Sequence, residues 1–325
     1  MNKQIWVGLG GDPEFFFKSK GTIFKGEKVV ESKVALPDGD YTSESGATKL
    51  IRDGFQGEMN FAPSTCRQEI SSRVRQAYRL ADEIGYNIVL GGGYDIPANS
   101  FARLSEDSKM FGCVPSANVY GENPVGKDPQ HYMFRPAGGH IHLSFDKDLV
   151  DVKRLVPVLD LLVGNISVAF DQDPTQVERR KTYGRAGEYR DKSYGVEYRT
   201  LGNFWLGHYT YLSLVYGLAR EAVHIVHNDL DQELLSLVPS EDVVSAINNN
   251  DKNLATVNFE RLRAFFTEHV GEIYPAEYYT ISSRTFDSLL NRMKNGFDIT
   301  KIGADYWKEH DVYNPGIEKI LLYGN

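Results

Sequence analysis

Four residue pairs, each two positions apart on a segment with strand character, constrain this chain more than any other feature. They are Asp12/Glu14 in Gly-Asp-Pro-Glu-Phe-Phe-Phe, Glu58/Asn60 in Gln-Gly-Glu-Met-Asn-Phe, His140/His142 in Gly-Gly-His-Ile-His-Leu-Ser-Phe, and Glu197/Arg199 in Gly-Val-Glu-Tyr-Arg-Thr-Leu. In a strand, residues i and i+2 project from the same face, so each pair points one way and its intervening residue the other. His140, His142 and Ser144 share a face, with Ile141, Leu143 and Phe145 opposite; Val196 and Tyr198 likewise oppose Glu197 and Arg199. An antiparallel sheet often shows a polar face to water, and that reading fits any one pair. A solvated face favours Thr, Lys, Ser and Gln, however, whereas these are acids, imidazoles and an arginine. Together they form a ligand set for divalent cations with a phosphate-binding group beside it.

The second feature is the basic run Arg179-Arg180-Lys181-Thr182-Tyr183-Gly184-Arg185-Ala186-Gly187-Glu188-Tyr189-Arg190, which leads into Glu197 and Arg199. Charge runs are usually solvated. Here the whole chain carries a formal net charge of −8, so a local concentration of arginine calls for a local anion. Guanidinium forks bind phosphate oxygens in pairs and keep their charge. The same acidity argues against general nucleic-acid binding, which needs a basic surface.

With 325 residues, 41% hydrophobic and 25% charged, the chain suits one large α+β domain. No apolar run reaches membrane-spanning length, and the start Met1-Asn2-Lys3-Gln4-Ile5-Trp6 lacks the apolar core of a secretory signal. A cytoplasmic location without membrane partners is therefore expected. Cys66 and Cys113 form neither a metal-site spacing nor a disulfide framework.

Along the chain, residues 13–18, 21–24, 28–31 and 55–61 read as strands, and 32–54 as a polar, mobile loop. Thr65 and Gln68 suggest a capping box ahead of a helix that carries Ile70, Val74, Ala77, Ala81 and Ile84 to Gly85. Residues 91–136 have little periodicity and read as a long functional loop. Then follow a strand at 139–145, a buried helix at 149–170, a charged loop at 171–195 and a strand at 196–200. Helices are expected at 209–227, 240–248, 259–269 and 285–294, as a lid or as packing. Gly91-Gly92-Gly93 lacks the features of a phosphate loop. His208, His224 and His227 lack acids in ligand register, and Tyr274, Tyr278 and Tyr279 read as packing.

Taken in order, the motifs closely resemble the phage-type COOH·NH2 ligase group (type 2), within the superfamily of glutamine synthetase and glutamate–cysteine ligase. The matching pieces are Gly11-Asp12-Pro13-Glu14-Phe15-Phe16-Phe17, Gly57-Glu58-Met59-Asn60-Phe61-Ala62-Pro63, the loop from Phe111 to Tyr120, Ala137-Gly138-Gly139-His140-Ile141-His142-Leu143, and the stretch from Arg179 to Trp205. The resemblance spans about residues 8–206 and implies one catalytic domain over 1–325, with a helical extension at 207–325. Its fold would be a glutamine-synthetase-like curved antiparallel sheet covered by helices on one face.

The resemblance also implies roles. Asp12, Glu14, Glu58, His140 and Glu197 would hold Mg²⁺, with Mn²⁺ as a substitute. His142, Arg180, Arg185, Arg190 and Arg199 would contact ATP, and Arg199, Arg185 and Glu58 would serve catalysis. Asp53 is a guess for a further acidic ligand. The implied chemistry is ATP-dependent amide formation between small-molecule or peptide carboxylates and amines, through an acyl phosphate; the loops at 32–54 and 91–136 are candidate covers, and a homo-oligomer fits the superfamily. A phage gene would put the protein in the host cytoplasm. A metal-dependent hydrolase uses similar ligands, and a guanidino-kinase-like phosphotransferase would stop at the phosphorylated product. A binding module without catalysis is the remaining alternative.

Overall fold

A computed structural model of the chain describes residues 5–21, 26–110, 116–121, 128, 130–273 and 283–309. Cys113, most of the expected strand at 21–24, part of the 111–120 motif and the Tyr274, Tyr278 and Tyr279 cluster lie outside the described residues.

Thirteen strands are described: β1 Gly8–Gly11, β2 Glu14–Ser19, β3 Val29–Val30, β4 Tyr41–Thr42, β5 Thr48–Asp53, β6 Gln56–Ser64, β7 Tyr86–Val89, β8 Gly93–Asp95, β9 Ala117–Asn118, β10 Phe134–Pro136, β11 Ile141–Ser144, β12 Glu188–Lys192 and β13 Gly195–Tyr198. Eleven of them join one sheet in the order β3-β2-β6-β1-β11-β13-β12-β9, with β5 on β6, β4 on β5 and β7 on β2; β8 and β10 pair separately. Every pairing is antiparallel.

The motif Gly-Asp-Pro-Glu marks the place where one extended segment changes neighbours. Before it, β1 pairs with β6 and β11; after it, β2 pairs with β6 and β7. Pro13 has no N–H to give to a ladder, so the break falls where pairing is lost least.

One face of the sheet is apolar. Leu9, Phe15, Phe17, Leu50, Met59, Phe61, Ile141, Leu143, Val196 and Tyr198 are all buried in the main core. Helices cover this face: Arg67–Glu83, Val152–Leu159 continuing through Asn165–Phe170, and Tyr209–His227. Ile70, Val74, Ala77 and Ala81 are buried as their spacing predicts. The Tyr216 hydroxyl donates to the Gly10 carbonyl at 2.7 Å, which docks Tyr209–His227 on the apolar side. That helix is packing behind the site face. No helix among the described residues is long and apolar enough to cross a membrane.

Four expectations are corrected. Residues 91–136 are not one long loop: among the described ones lie β8, β9, β10 and the short helices Ala98–Phe101 and Glu106–Lys109. Residues 32–54 are not a loop: a short helix, Ser32–Ala35, and strands β4 and β5 occupy them. β5 turns into β6 over two residues opened by Gly54 at φ +56°, the glycine-first form of a two-residue hairpin turn. Its inward residues Thr48 and Leu50 are buried while their neighbours are not, too short an alternation to stand out among polar residues. Residues 171–195 contain a helix, Gln176–Arg179, and β12; the charges of β12 project toward paired groups across the sheet, so they read as loop. The Thr65/Gln68 box does not form, because the helix is capped at Cys66 without a side-chain bond. Of the helix expected at 149–170, residues 149–151 lie ahead of the first turn and 152–170 are helical, with a π-helical turn at Asp160–Gly164.

Candidate metal and phosphate site

Register brings the four motifs together on the polar face. Gly10 pairs with His142, His142 with Glu197, Glu197 with Arg190 and Glu14 with Glu58. Directly paired residues of an antiparallel sheet share a face. Gly10, with no side chain, leaves a floor beside His142.

At the centre, Asp12 Oδ1 lies 3.0 Å from His142 Nε2 and 3.4 Å from His140 Nδ1. His140 Nδ1 is also 3.8 Å from Glu197 Oε1. Asp12, His140 and Glu197 each offer one ligand atom, all within 4.8 Å of one another. Asp12 Oδ1 and Glu197 Oε1 are buried atoms without a well-directed hydrogen bond among the described residues; the imidazoles approach off the donor direction. Buried polar atoms nearly always find a partner, and these oxygens with one imidazole nitrogen are a donor set that a divalent cation satisfies. The residues present therefore fit such an ion.

The wider field agrees. Burial pushes the Asp12 carboxyl up, but His140 and His142 outweigh it and hold Asp12 well below the usual carboxylate range. Glu58 is pushed up to about 9 by burial and by the charges of Asp12, Asp53, Glu14 and Glu197. Asp53, at the end of β5, is pushed up to about 7 by burial, Glu14 and Asp12 against the pull of Arg199. So Asp12, Glu14, Asp53, Glu58 and Glu197 share one negative field. Glu58 also accepts from Asn60 Nδ2 at 3.0 Å.

Glu197 faces cations on its other side. Burial and Asp12 push its carboxyl up, yet Lys192, His140 and Arg199 hold it below its ordinary value. Lys192 Nζ is 2.7 Å and Arg190 Nη1 3.1 Å from Oε2, and Arg199 Nε is 3.4 Å from Oε1. A cationic rim thus borders the acidic cluster, the juxtaposition that a metal-bound polyphosphate requires.

The arginines of the basic run divide by task. Arg179 is fully buried; its guanidinium donates to the carbonyls of Thr200 at 3.1 Å and Leu201 at 2.7 Å, holding the chain just past Arg199. Arg180 is also buried and donates to the Gly184 carbonyl at 2.6 Å, with burial pulling it down to about 10. Its guanidinium supports the loop and is turned to carbonyls, away from the acidic cluster. The backbone of Arg185 accepts from Thr200 Oγ1 at 2.9 Å, and its side chain is half-buried.

Three contributors were absent from the sequence-derived set. Tyr183 donates to Glu14 Oε1 at 2.9 Å, meets His140 Nε2 at 2.6 Å and accepts from Arg199 Nη2 at 3.0 Å. Tyr194 meets His142 Nδ1 at 2.9 Å. Lys192 is the third. All three lie within the quoted Arg179–Trp205 stretch, but a loop tyrosine has no periodicity to reveal where it points. Glu14 is further held by the Gly138 N–H, at 2.7 Å to Oε2. Beyond Glu14 the face is closed by a small second core of Phe16, Phe55, Ile96, Phe101 and Ala137, to which the 91–136 segment contributes Ile96 and Phe101.

A family model described as phage phiEco32-like COOH.NH2 ligase-type 2 matches residues 125–298, more than half of the chain. The match takes in His140, His142, Glu197, Arg199 and the basic run, and continues into the C-terminal helices as far as residue 298; Asp12, Glu14 and Glu58 precede it. No curated protein matches the chain.

Proposed function

The chain belongs to the phage phiEco32-like COOH.NH2 ligase-type 2 family, and from that premise we propose that it joins a carboxylate to an amine at the expense of ATP. The observation that carries the ATP dependence is the placement of Glu197 between two sets of groups. Asp12 and His140 gather beside it, His140 at its Oε1, while Arg190 and Lys192 lie at its Oε2 and Arg199 reaches Oε1 at 3.4 Å. A hydrolase of amides or esters needs the first set alone; the cationic rim favours a phosphate-transferring reaction.

A carboxylate resists attack by an amine. Transfer of the γ-phosphoryl group of ATP to its oxygen breaks the terminal phosphoanhydride bond, releases ADP and yields an acyl phosphate. Attack of the amine on the acyl carbon then expels inorganic phosphate and leaves the amide after loss of a proton. Asp12, His140 and Glu197, with Glu14, Glu58 and Asp53 around them, are the residues to hold Mg²⁺ or Mn²⁺, which supplies charge neutralisation at the reacting phosphoryl oxygens. Arg199, Arg190 and Lys192 neutralise and orient the phosphates. His142, steadied by Tyr194, borders the nucleotide or substrate. Half-buried Arg185 remains a candidate for substrate contact. Glu58, whose carboxyl is pushed up to about 9 in this field, is the candidate to take the amine proton once a bound cation would offset the neighbouring negative charge and leave it ionised. The glutamine-synthetase-like character of the sheet is part of the same proposal, as are the small-molecule or peptide identity of the substrates and assembly into a homo-oligomer.

Calorimetric titration with a non-hydrolysable ATP analogue, with and without Mg²⁺, on wild type and Glu197→Gln tests the reading. Metal-dependent binding that weakens in the variant supports it and directs a screen of acid and amine pairs for phosphate release. Failure of nucleotide to bind under every metal condition, alone or with candidate acids, would move the assignment to hydrolysis or to binding without catalysis.

A further inference from the structure

The Tyr183 hydroxyl sits where the acidic cluster meets the arginines, and each of its neighbours restricts the protons between them. Glu14, as a carboxylate, can only accept, and its Oε1 is 2.9 Å from the hydroxyl. The Tyr183 proton is thereby spent on Glu14. Arg199 Nη2, which can only donate, points at the same oxygen from 3.0 Å. His140 Nε2, at 2.6 Å, then meets a hydroxyl oxygen with only a lone pair left, and its short contact is a hydrogen bond only if Nε2 carries the proton. A neutral imidazole has one N–H. Of the two neutral tautomers only the one with a bare Nδ1 keeps that contact, and this Nδ1 faces Asp12 Oδ1 and Glu197 Oε1 at 3.4 and 3.8 Å; a second proton, on Nδ1, gives the imidazolium whose charge lowers Asp12 in the metal-free protein.

We infer that Tyr183 is a positioning residue that fixes the tautomer of His140, so that Nδ1 presents its lone pair to the cation bound by Asp12 and Glu197. The inference rests on the proposed metal-dependent function for what Nδ1 is used for, but which neutral tautomer is kept follows from the contacts. Nothing leaves Tyr183 room to turn away. Its ring is bracketed by the guanidiniums of Arg179 and Arg199, whose carbons lie 5.1 and 5.3 Å from its centroid. Arg179 is pinned by the carbonyls of Thr200 and Leu201. The His140 ring meets Tyr183 edge-on, with centroids 5.5 Å apart. Glu14 is anchored through its second oxygen by the Gly138 N–H. A loop tyrosine of the basic run therefore orders a ligand on the opposite side of the site, as outer partners of ligating histidines do.

The test is a pair of measurements on wild type and Tyr183→Phe, which keeps the ring between the two arginines. The first is ¹H–¹⁵N long-range correlation of the imidazoles in metal-free protein at pH 9, with the His140 signals assigned through His140→Gln. Wild type should show His140 protonated on Nε2 alone, and the variant should lose that single pattern. The second is Mn²⁺ affinity by calorimetry, expected to fall about 10- to 100-fold in the variant while its thermal unfolding midpoint stays close to wild type. A wild-type His140 whose neutral form carries its proton on Nδ1 would overturn the inference. So would a variant that binds Mn²⁺ as tightly as wild type. Wild-type protein that shows the Nε2 pattern yet binds no Mn²⁺ would instead remove the metal reading and leave the tautomer standing.

Discussion

Glu197 and Arg199 lie side by side at the end of β13, Oε1 to Nε 3.4 Å, and both side chains are 1% exposed. Each is a neighbour of the acidic cluster on one hand and of the cationic rim on the other. Removing the charge of one therefore disturbs both.

Glu197→Gln should lower ligase turnover by about a hundredfold or more, since it removes a cluster oxygen and the counter-charge that orders three cations. Arg199→Ala is a poorer probe. Breaking a buried pair leaves an uncompensated charge and costs about 3–5 kcal/mol, so that variant should fail by unfolding. Arg199→Lys keeps the charge but loses the fork that reaches Tyr183 and Glu197 together. Turnover should fall in Arg199→Lys while its chemical-denaturation midpoint stays closer to wild type than that of Arg199→Ala. Full activity in Glu197→Gln would remove the site from the reaction.

Stability of the metal-free protein should fall as pH rises from about 5 to 9. The direction follows from Glu58, pushed up to about 9 by burial and neighbouring acids, and Asp53, pushed up to about 7. The folded chain holds these protons at pH values where the unfolded chain has lost them, so folding becomes harder as they leave. Glu58→Gln should flatten the decline. Mn²⁺ or Mg²⁺ should flatten it too, adding about 2.7 kcal/mol when present at a hundredfold over its dissociation constant. Melting curves across pH, with chelator and with metal, measure both; a metal-free profile that rises toward pH 9 would contradict the shared negative field.

Gly138→Ala should reduce turnover far more than stability. A Cβ at this position would stand 2.2 Å from His140 Nε2 and 2.8 Å from its Cδ2, so the imidazole must move. The same residue supplies the N–H that holds Glu14. Displacement of a positioned group by about 1 Å costs roughly a hundredfold in rate. Steady-state kinetics beside a thermal melt distinguishes this from general damage.

Arg180 and Arg190 should separate in their effects. Arg180→Gln removes a buried guanidinium from backbone carbonyls, and leaving such acceptors unmet costs about 1–3 kcal/mol. Its consequence should be a lower unfolding midpoint. Arg190→Ala, at the half-buried rim, should raise KM for ATP with the midpoint nearly unchanged. Equal KM changes in the two variants would place Arg180 at the phosphate after all.

Much of the site was legible because strand periodicity is local. Each motif announces its own polar face, and residue chemistry says what that face can bind. Asp12, His140 and Glu197 were named on that basis, and they converge. Arg180 entered the set through the basic run and the family resemblance, and its carbonyl partners come from a loop conformation that a charge run does not encode. Strand β12 reads as loop for a related reason: Arg190 and Lys192 meet Glu197 across the sheet, which periodicity along one segment cannot reveal; in β5 only Thr48 and Leu50 alternate inward, too short a pattern to stand out. Gly54, which opens the two-residue turn between β5 and β6, is the local signal for that hairpin.

By itself, then, the order of residues determined the secondary periods, the apolar face of each strand and the ligand chemistry of the polar one. Tertiary structure decided which of those faces meet. Pairing Gly10 with His142 and His142 with Glu197 is a matter of register between segments far apart in the chain, and a slip of one residue would turn every ligand to the opposite face. The same is true of Tyr183, whose three contacts reach Glu14, His140 and Arg199. No rule of spacing connects them, because the distances that matter are set by packing of the whole sheet.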